Sequence, residues 1–323
     1  QNIKKLTFGG DNAEAYFSPD SKNLTMQVTN TQFGVPCDQI YSLDLTQPIT
    51  DFNNLKLVST GKGRTTCSYF HPNGKIVYSS THAANENCPT APVFEGGRYV
   101  WAIYDSFDIY AKDSSTAESK LLIGGEGYDA EPTISPDGKY MIFTSTRSGD
   151  LDLWRYEFET KELKQITFLP GYDGGAFFSH DSKKLVWRAS RPNDEELPIY
   201  KDLLSKGLVE PKAMNLYTSD IDGNNVEQIT NLPGANWAPF FHPDNKRILF
   251  SSNHHTMDKG GRVFDIFMID PSTKKLEQIT NSGTFDAFPM FSNDGKYLVF
   301  SSNRRADRKP SRDTNVFIAE WIN

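Results

Sequence analysis

The sequence predicts an all-β fold, a six-bladed β-propeller with four antiparallel strands in each blade. A motif of the type Phe-Ser-Pro-Asp-Gly-Lys occurs six times, and apolar segments flank every copy. The shortest spacing between two copies is about 44 residues, from Asp137 to Asp181. Propeller blades built from four short strands repeat every 40 to 50 residues or so, roughly this spacing, and six copies therefore predict six blades.

Each copy of the motif is predicted to form the tight turn between the first and second strands of a blade. Pro presets φ, while Asp, Asn and Gly tolerate the left-handed conformations that such turns need. An apolar or β-branched run follows each copy, as expected for the returning strand. The six copies begin at Phe17, Phe70, Ile134, Phe178, Phe241 and Phe291.

The other two strands of each blade are predicted from the segments that follow. Third strands are expected at residues 39–43, 107–112, 151–157, 214–221, 264–269 and 315–321. Fourth strands are expected to end in Leu-Thr or a variant of it, at residues 58–60, 121–123, 166–167, 229–230 and 279–280. Segment 3–7 has the same ending at the start of the chain, so it should complete the last blade and close the ring.

These assignments divide the chain into blades and leave one insertion. The blades of a predicted single domain 1–323 span residues 8–60, 61–124, 125–168, 169–231, 232–281 and 282–323, the last together with 1–7. In blade 4, acidic residues at 194–196, an early Pro198 and a late Gly207 predict a short helical insertion at about 195–207. The sequence leaves open whether this helix is a fixed buttress or a mobile lid.

Composition narrows the class of partner. The chain of 323 residues has a net charge of −7, which disfavours binding to nucleic acid. No apolar run approaches the roughly 18 residues of a membrane span, so membrane insertion is not expected. The chain begins at Gln1 rather than Met and without a charged and apolar leader, so we interpret it either as a mature product, which would favour export, or as a trimmed one.

The cysteines form no metal-binding or redox motif. Cys37, Cys67 and Cys88 show no CxxC spacing. Cys37 and Cys88 fall in loops expected on one face of neighbouring blades, so we expect a disulfide between them. A bridge between Cys37 and Cys67 is the alternative, and either bridge favours an oxidising compartment.

The repeats resemble those of the TolB-like propeller family, which belongs among the WD40-like propeller repeats. In that family Leu-Thr, Pro-x-Phe-Ser-Pro-Asp-Gly-Lys, Ser-x-Arg and Ile-Tyr recur, and residues 134–147 and 291–304 match this pattern best. The resemblance covers the whole chain and implies a periplasmic or secreted protein associated with the cell envelope. Six blades use all 323 residues, so the additional N-terminal domain of TolB is not expected here.

Alignment of the six units places two columns of residues at the expected mouth of the central channel. Five residues before each copy of the motif stand Asn12, Thr65, Asp129, Asp173, Asn236 and Asp286, with Trp237 beside Asn236. After each second strand stand Asn30, His82, Arg147, Arg191, His254 and Arg304. The Asp side chains either cap loop N–H groups and pair with the Arg side chains, or bind a ligand at an acidic mouth within a basic ring.

Residues that break the repeat are further candidates for ligand binding. Glu14 and Glu131 stand three residues before the motif, where the other blades have Cys, Gly, Ala and Phe. They are suited to accept hydrogen bonds, and a divalent cation at the channel mouth is left open. His82 and His254 lack the spacing of a metal-ligand set. The loop of blade 2 carries aromatic residues that either contact a sugar or peptide or pack together: Phe94, Tyr99, Trp101 and Tyr104.

The function predicted from these features is binding. No nucleophile elbow, zinc-protease or nucleotide-binding motif occurs, so no catalytic residue is assigned. We expect an exported, non-catalytic propeller that engages a protein, a peptide or a glycan, such as a component of the cell envelope, at its loop face and channel mouth. The alternatives are a hydrolase or lyase that acts at the channel mouth, and an accessory propeller of a peptidase complex.

Overall fold

The strands of the computed structural model form six four-stranded antiparallel sheets arranged in a ring, which confirms the six-bladed propeller. The structure describes residues 1–91, 97–113, 116, 118–305 and 312–322. No helix within these ranges is long and apolar enough to cross a membrane.

Blades 1 and 2 follow a short first strand, β1 (Lys4–Lys5). Blade 1 contains β2 (Asp11–Phe17), β3 (Asn23–Asn30), β4 (Val35–Asp44) and β5 (Leu55–Leu57), with 3-10 turns at Thr31–Phe33 and Phe52–Asn54. In blade 2, β6 (Thr65–Phe70) and β7 (Ile76–Ser80) precede a long loop containing β8 (Trp101–Ala102), and β9 (Asp108–Lys112) and β10 (Ser119–Ile123) follow it.

Blade 3 is regular, whereas blade 4 carries the helical insertion. Blade 3 contains β11 (Asp129–Ile134), β12 (Tyr140–Ser145), β13 (Asp152–Glu157) and β14 (Leu163–Gln165). Blade 4 contains β15 (Asp173–Phe178), β16 (Lys184–Ser190), helix α1 (Leu197–Ser205), β17 (Leu208–Val209), β18 (Met214–Asp220) and β19 (Glu227–Gln228). Strand β17 pairs with β8, so the loops of blades 2 and 4 form a separate small sheet.

The N-terminal strand completes blade 6 and closes the ring, as the sequence predicts. Blade 5 contains β20 (Asn236–Phe241), β21 (Ile248–Ser252), a 3-10 turn at His254–Lys259, β22 (Asp265–Ile269) and β23 (Leu276–Gln278). Blade 6 contains β24 (Asp286–Phe291), β25 (Tyr297–Ser302) and β26 (Asn315–Glu320). Strand β1 pairs antiparallel with β26, with Lys4 opposite Ile318 and Lys5 opposite Phe317.

Side-chain hydrogen bonds fix the motif turns. In blade 1, Ser18 Oγ donates to Asp20 Oδ1 at 2.6 Å, and Asn23 N donates to Ser18 Oγ at 2.9 Å. The same Ser–Asp contact measures 2.6 Å in blades 3, 4 and 6. The hydrogen bond from Ser18 is the main reason that the pKa of Asp20 lies below its usual value. The recurrence of Ser and Asp in the motif therefore reflects turn geometry.

The Leu-Thr signature lies at the end of the fourth strand in blade 2, as predicted, but just beyond that strand in the other five blades, which corrects their predicted boundaries. In blade 4, the Thr230 hydroxyl accepts from Leu216 N and donates to Asn215 Oδ1, both at 2.9 Å. The equivalent contacts in blades 3 and 5 are made by Thr167 and Thr280. The hydroxyl satisfies a backbone N–H of the third strand where the fourth strand has already ended.

Candidate functional site

The innermost strand of every blade contains a β-bulge at the same position. Register shifts interrupt the pairing of β2, β6, β11, β15, β20 and β24 with the second strand of each blade. Each bulge has one residue with a φ between 42° and 59°, in the left-handed region: Glu14, Cys67, Glu131, Gly175, Ala238 and Phe288. A bulge redirects a side chain, and all six of these residues line the central channel.

The six bulge residues surround a chamber of about 20 Å³. Toward the motif turns, aromatic rings from opposite blades meet across the channel, since the ring centroids of Tyr16 and Phe177 are 5.5 Å apart. Tyr69 lies 5.5 Å from Tyr16, and Phe240 lies 5.3 Å from Phe177. A cavity of this size holds about one water molecule, so the chamber as it stands admits no larger molecule.

A buried ion pair forms one wall of the chamber. Arg188 Nη2 donates to Glu131 Oε1 and, at 2.7 Å, to the Tyr172 hydroxyl. Glu131 Oε2 accepts from Tyr172 Oη at 2.9 Å, Thr144 Oγ1 at 2.7 Å and Gly175 N at 2.9 Å. Burial disfavours the charged form of Glu131, but Arg188 and these donors outweigh it and lower the pKa. Glu131 is therefore an ionised carboxylate with its own hydrogen-bond partners.

Two glycines make room for the pair of Glu131 and Arg188. Arg188 was not among the residues that the sequence predicted for the site. A Cβ at Gly175 would lie 1.9 Å from Arg188 Nη1, and a Cβ at Gly174 would lie 2.5 Å from Glu131 Oε2. At the position of Arg188 the other blades have Gln27, Ser79, Thr144, Ser251 and Ser301. An arginine in a column of small polar residues, close to a Gly-Gly pair, is the signal that identifies it.

Glu14 lies in the blade opposite Arg188. Its Oε2 is 3.4 Å from the Tyr16 hydroxyl, and its carboxyl group is hydrogen-bonded to the Cys67 thiol. Burial raises the pKa of Glu14 to about 7; Glu131 adds to this shift, whereas Cys67 and Arg188 oppose it. Cys67 is a free thiol, and burial raises its pKa well above the usual value. Near neutral pH, Glu14 therefore exchanges between the protonated and ionised forms.

Trp101 covers the Arg188 side of the chamber on the loop face. The Arg188 Cζ atom is 5.4 Å from the centroid of the Trp101 ring, a cation–π distance. The Trp101 ring also lies 5.7 Å from the Trp237 ring. Because Trp101 belongs to β8, the pairing of β8 with β17 holds it in this position. Trp101 and Trp237 are thus part of a roof over the channel.

The blade 2 loop packs part of its aromatic side chains against the fold. Besides the contacts of Trp101, the Tyr104 hydroxyl donates to Thr90 O at 3.0 Å. Tyr99 is 61% exposed, although the Trp101 Nε1 atom donates to its hydroxyl at 3.3 Å. Phe94 lies outside the described residues. Of the two alternatives for this loop, the contacts of Trp101 and Tyr104 favour packing.

The acidic and basic columns at the channel mouth pair with each other. The pairs and their N–O distances are Arg147–Asp129 (2.7 Å), Arg191–Asp173 (2.7 Å) and Arg304–Asp286 (2.5 Å). All three carboxylates are buried, and in the described part of the chain their hydrogen bonds come from side chains rather than from loop N–H groups. The expected Asp–Arg pairing is therefore present, but the expected capping of the loop backbone is not.

The two histidines of the same columns contact serines of their own blades. His82 Nδ1 is 2.8 Å from Ser80 Oγ, and His254 Nδ1 is 2.8 Å from Ser252 Oγ. Burial lowers the pKa of both histidines. Among the residues that the structure describes, no hydrogen bond or ion pair joins either histidine to a chamber carboxylate, and no group of three or more His, Cys, Asp or Glu is placed to hold a metal ion.

A disulfide joins the loops of blades 1 and 2. It links Cys37 to Cys88, the preferred one of the two expected pairings, and leaves Cys67 free. The two cysteines are 51 residues apart in the chain. Closing a loop of this length in the unfolded state stabilises a fold by about 4 kcal/mol.

A groove of about 820 Å³ lies on the loop face between the blade 2 loop and helix α1. The helix is docked, because Tyr200 and Leu203 are buried and the Tyr200 hydroxyl donates to Asp150. The blade 2 loop is joined to the helix end by a hydrogen bond from Ile103 N to Gly207 O at 2.7 Å. In this structure the insertion of blade 4 is therefore a fixed wall of the groove.

Comparison with known families identifies the repeats. The family described as the TolB beta propeller domain matches residues 208–309, within blades 4 to 6 of the ring. The chain is a TolB-like six-bladed β-propeller. A curated relative, an uncharacterised protein of Agrobacterium fabrum, is 41% identical over 49 residues, which are 15% of this TolB-like chain and 17% of the relative.

Solved structures share the fold of this TolB-like propeller. A putative TolB from Agrobacterium tumefaciens superposes with a TM-score of 0.61 at 16% identity and covers 99% of this chain and 97% of its own. TolB from Acinetobacter baumannii gives 0.57 at 20% identity, over 97% of this chain and 64% of its own. An oligogalacturonate lyase in complex with manganese gives 0.58 at 12% identity, over 98% and 78%. Likenesses at these identities concern the fold and leave the activity open.

Proposed function

We propose that this TolB-like propeller is an exported binding protein, periplasmic or secreted, that holds a protein or peptide segment in the loop-face groove. The observation that carries the proposal is the groove of about 820 Å³ between two insertions that depart from the repeat. Long loops on a rigid scaffold commonly carry binding sites. The disulfide between Cys37 and Cys88 supports an oxidising compartment.

The walls of the groove suit a polypeptide. Asp105 on the blade 2 side and Lys201 on α1 are exposed, and neither has an ion-pair partner among the described residues. Apolar surface between them comes from Ile103, Leu204 and Leu208. An extended peptide offers backbone hydrogen-bonding groups, apolar side chains and charges of both signs, so it matches this combination.

The channel mouth supports binding less well than the groove does. The Asp and Arg side chains predicted to form the mouth are engaged with each other, and Trp101 lies over Arg188. A ligand at the mouth would have to compete with these buried pairs, whose separation leaves an uncompensated charge. The groove requires no such rearrangement.

A peptide library displayed on phage tests the proposal. Peptides selected on the wild-type protein are measured by fluorescence polarisation against Lys201→Glu and Asp105→Arg. We expect each charge reversal to weaken binding by about tenfold or more, because it places a like charge in the groove. Lys139→Glu, in an exposed motif turn on the opposite face, is the matched control and should leave the affinity within about twofold.

The outcomes separate the candidate functions. Selected peptides that bind Lys201→Glu and Asp105→Arg as tightly as wild type would contradict the groove proposal. Binding on a glycan array that the same variants lose would replace the peptide with a glycan. Turnover of a glycan or peptide by wild type, abolished in Glu14→Gln and retained in Lys201→Glu, would establish the rival hydrolase or lyase at the channel.

A further inference from the structure

The chamber in the central channel is separate from the loop-face groove and has a polar half and an apolar half. The polar half consists of Glu14, Cys67 and Glu131 with the guanidinium of Arg188. The apolar half is formed chiefly by Ala238 and Phe288, from blades 5 and 6. Within the polar half, Glu131 is ion-paired with Arg188, and Cys67 is hydrogen-bonded to Glu14.

Some N–H groups of Arg188 have no hydrogen-bond partner among the described residues. A guanidinium carries five N–H groups, and Nη2 uses its two on Glu131 and Tyr172. The Nε atom is buried without a hydrogen-bond partner, and no hydrogen bond from Nη1 occurs among the described residues. Arg188 is only 7% exposed, and Nε is its fully buried donor without a partner. A buried donor requires an acceptor, and the chamber that Arg188 lines is a place where one can bind.

The absence of a side chain at Gly175 lets the Arg188 guanidinium lie against the innermost strand of blade 4. Every other bulge residue carries a Cβ, whereas a Cβ at Gly175 would lie 1.9 Å from Nη1. Glu14 stands in the opposite blade and lines the same chamber, so its carboxyl group, an O–H donor while protonated, lies across the chamber from Arg188. Donors from two sides therefore converge on a chamber whose remaining wall is apolar.

We propose that the chamber is a binding site for one carboxylate group with a short apolar chain. The carboxylate oxygens accept hydrogen bonds from Arg188 and from Glu14, and the chain contacts Ala238 and Phe288. Arginine is the side chain best suited to carboxylates, because its N–H groups match the two oxygens. A free short-chain carboxylic acid and the C-terminal carboxylate of a peptide present the same chemistry.

Entry of such a group requires movement of the roof. The chamber volume of about 20 Å³ is smaller than any carboxylate, and Trp101 lies over Arg188. Trp101 is held by two residue pairs between β8 and β17 and by contacts with Trp237, Tyr172 and Arg188, so its displacement breaks no strand pairing within a blade. Ligand entry should therefore change the environment of an indole ring, which fluorescence detects.

Titration of the wild-type protein with sodium formate, acetate and propionate tests the proposal, with sodium chloride at equal ionic strength as the reference. We expect a saturable rise in Tm and a saturable change in tryptophan fluorescence with at least one carboxylate and not with chloride. Equal effects of chloride and all three carboxylates would overturn the proposal. This measurement requires no variant and therefore does not depend on whether a variant folds.

Three variants assign the effect to the chamber. Arg188→Lys keeps the charge beside Glu131 but loses donors, and it should weaken carboxylate binding by about tenfold or more. Gly175→Ala places a Cβ 1.9 Å from the present position of Nη1, so it should displace the guanidinium and have a similar effect. Arg147→Lys is the matched control, since Arg147 pairs with buried Asp129 and does not line the chamber. Unchanged affinity in both chamber variants would refute the site.

A further comparison distinguishes the two sources of the carboxylate, a free short-chain acid and the C-terminus of a peptide. Peptides with a free C-terminus are compared with the same peptides carrying a C-terminal amide, which removes the charge. A difference that Arg188→Lys abolishes assigns the site to peptide termini, and binding of free acids alone assigns it to small molecules. Lys139→Glu, on the opposite face, should leave either result unchanged. The titration with free acids does not involve the groove, so failure of the groove proposal does not affect this one.

Discussion

Glu14 and Glu131 occupy equivalent backbone positions in the ring but have opposite shifts in pKa. Burial opposes ionisation of both, and Arg188 with several hydrogen-bond donors lowers the pKa of Glu131. Among the described residues, the hydrogen-bonding contacts of the Glu14 carboxyl group are those with the Cys67 thiol and, at 3.4 Å, the Tyr16 hydroxyl, so burial raises the pKa of Glu14 to about 7. The adjacent charge of Arg188, followed by the hydrogen-bond donors at Glu131, makes the difference between the two carboxyl groups.

The raised pKa of Glu14 predicts a loss of stability as the pH rises from about 4.5 to about 7. The unfolded chain ionises Glu14 near pH 4.5 and the folded chain near pH 7, so the folded state binds more protons between these values. The contribution is present below pH 4.5 and is lost as the pH rises through 7, at a cost of up to about 3 kcal/mol. Urea unfolding of wild type and Glu14→Gln at pH 4.5 and 8 measures it.

We expect the stability of Glu14→Gln relative to wild type to increase from pH 4.5 to pH 8 by up to about 3 kcal/mol. Gln cannot ionise, and it is close to Glu in size, so effects of packing are the same at both pH values. Parallel pH dependence of the two proteins would show that Glu14 ionises as freely in the fold as in the unfolded chain.

At the scale of the element, hydrogen bonds from side chains that recur in the repeat stabilise each blade. The motif turn is fixed by a Ser–Asp hydrogen bond, and the third strand is fixed by a Thr hydroxyl beyond the fourth. These explain why Ser, Asp and Thr recur where apolar residues would satisfy the strand pattern alone. Short edge strands such as β19, with two residues, depend on this extra contact.

Removal of one such hydroxyl should destabilise the protein without changing its fold. Thr230→Val keeps the shape of the side chain but leaves Leu216 N–H and Asn215 Oδ1 without this partner. We expect a loss of about 1–3 kcal/mol in the free energy of unfolding, the usual cost of an unsatisfied buried polar group. Thr160→Val, at an exposed turn between β13 and β14, should change it by no more than about 0.5 kcal/mol.

Chemical denaturation of both variants measures the difference. Equal stabilities of Thr230→Val and Thr160→Val would mean that the hydroxyl contact adds nothing to the stability of the blade.

The bulges of the innermost strands, in contrast to the motif turns, are hardly predictable from the sequence. Glu, Ala and Phe disfavour a positive φ, so only Gly175 among the six bulge residues signals the conformation that all of them adopt.

At the scale of the whole molecule, the sequence predicts what repeats and misses what joins the repeats. Six blades, their order and the closing strand follow from a periodic motif, because every blade has to satisfy the same backbone constraints. The β8–β17 sheet and the Glu131–Arg188 pair each connect residues from different blades and occur once. Nothing in a single sequence indicates that such distant segments meet, so the groove and the chamber required the structure.

Ring closure by the N-terminal strand predicts the effect of its removal. Deletion of residues 1–7 removes the pairing of β1 with β26, the hydrogen bond from Leu6 N to Val316 O at 2.8 Å, and that from Val316 N to the Thr7 hydroxyl at 2.9 Å. Buried Leu6 is also lost. We expect a loss of about 4 kcal/mol from these hydrogen bonds and this burial.

The deletion also leaves β26 as an unpaired edge, and an exposed edge strand pairs readily with other chains. The shortened protein should therefore show both a lower Tm and concentration-dependent association in size-exclusion chromatography with light scattering. Deletion of residues 1–2, which removes exposed contacts with Glu320 but keeps β1, is the control and should lower Tm only slightly. A 1–7 deletion with the Tm and mass of that control would mean that packing between neighbouring blades, including that of β2 against blade 6, holds the ring closed without the N-terminal strand.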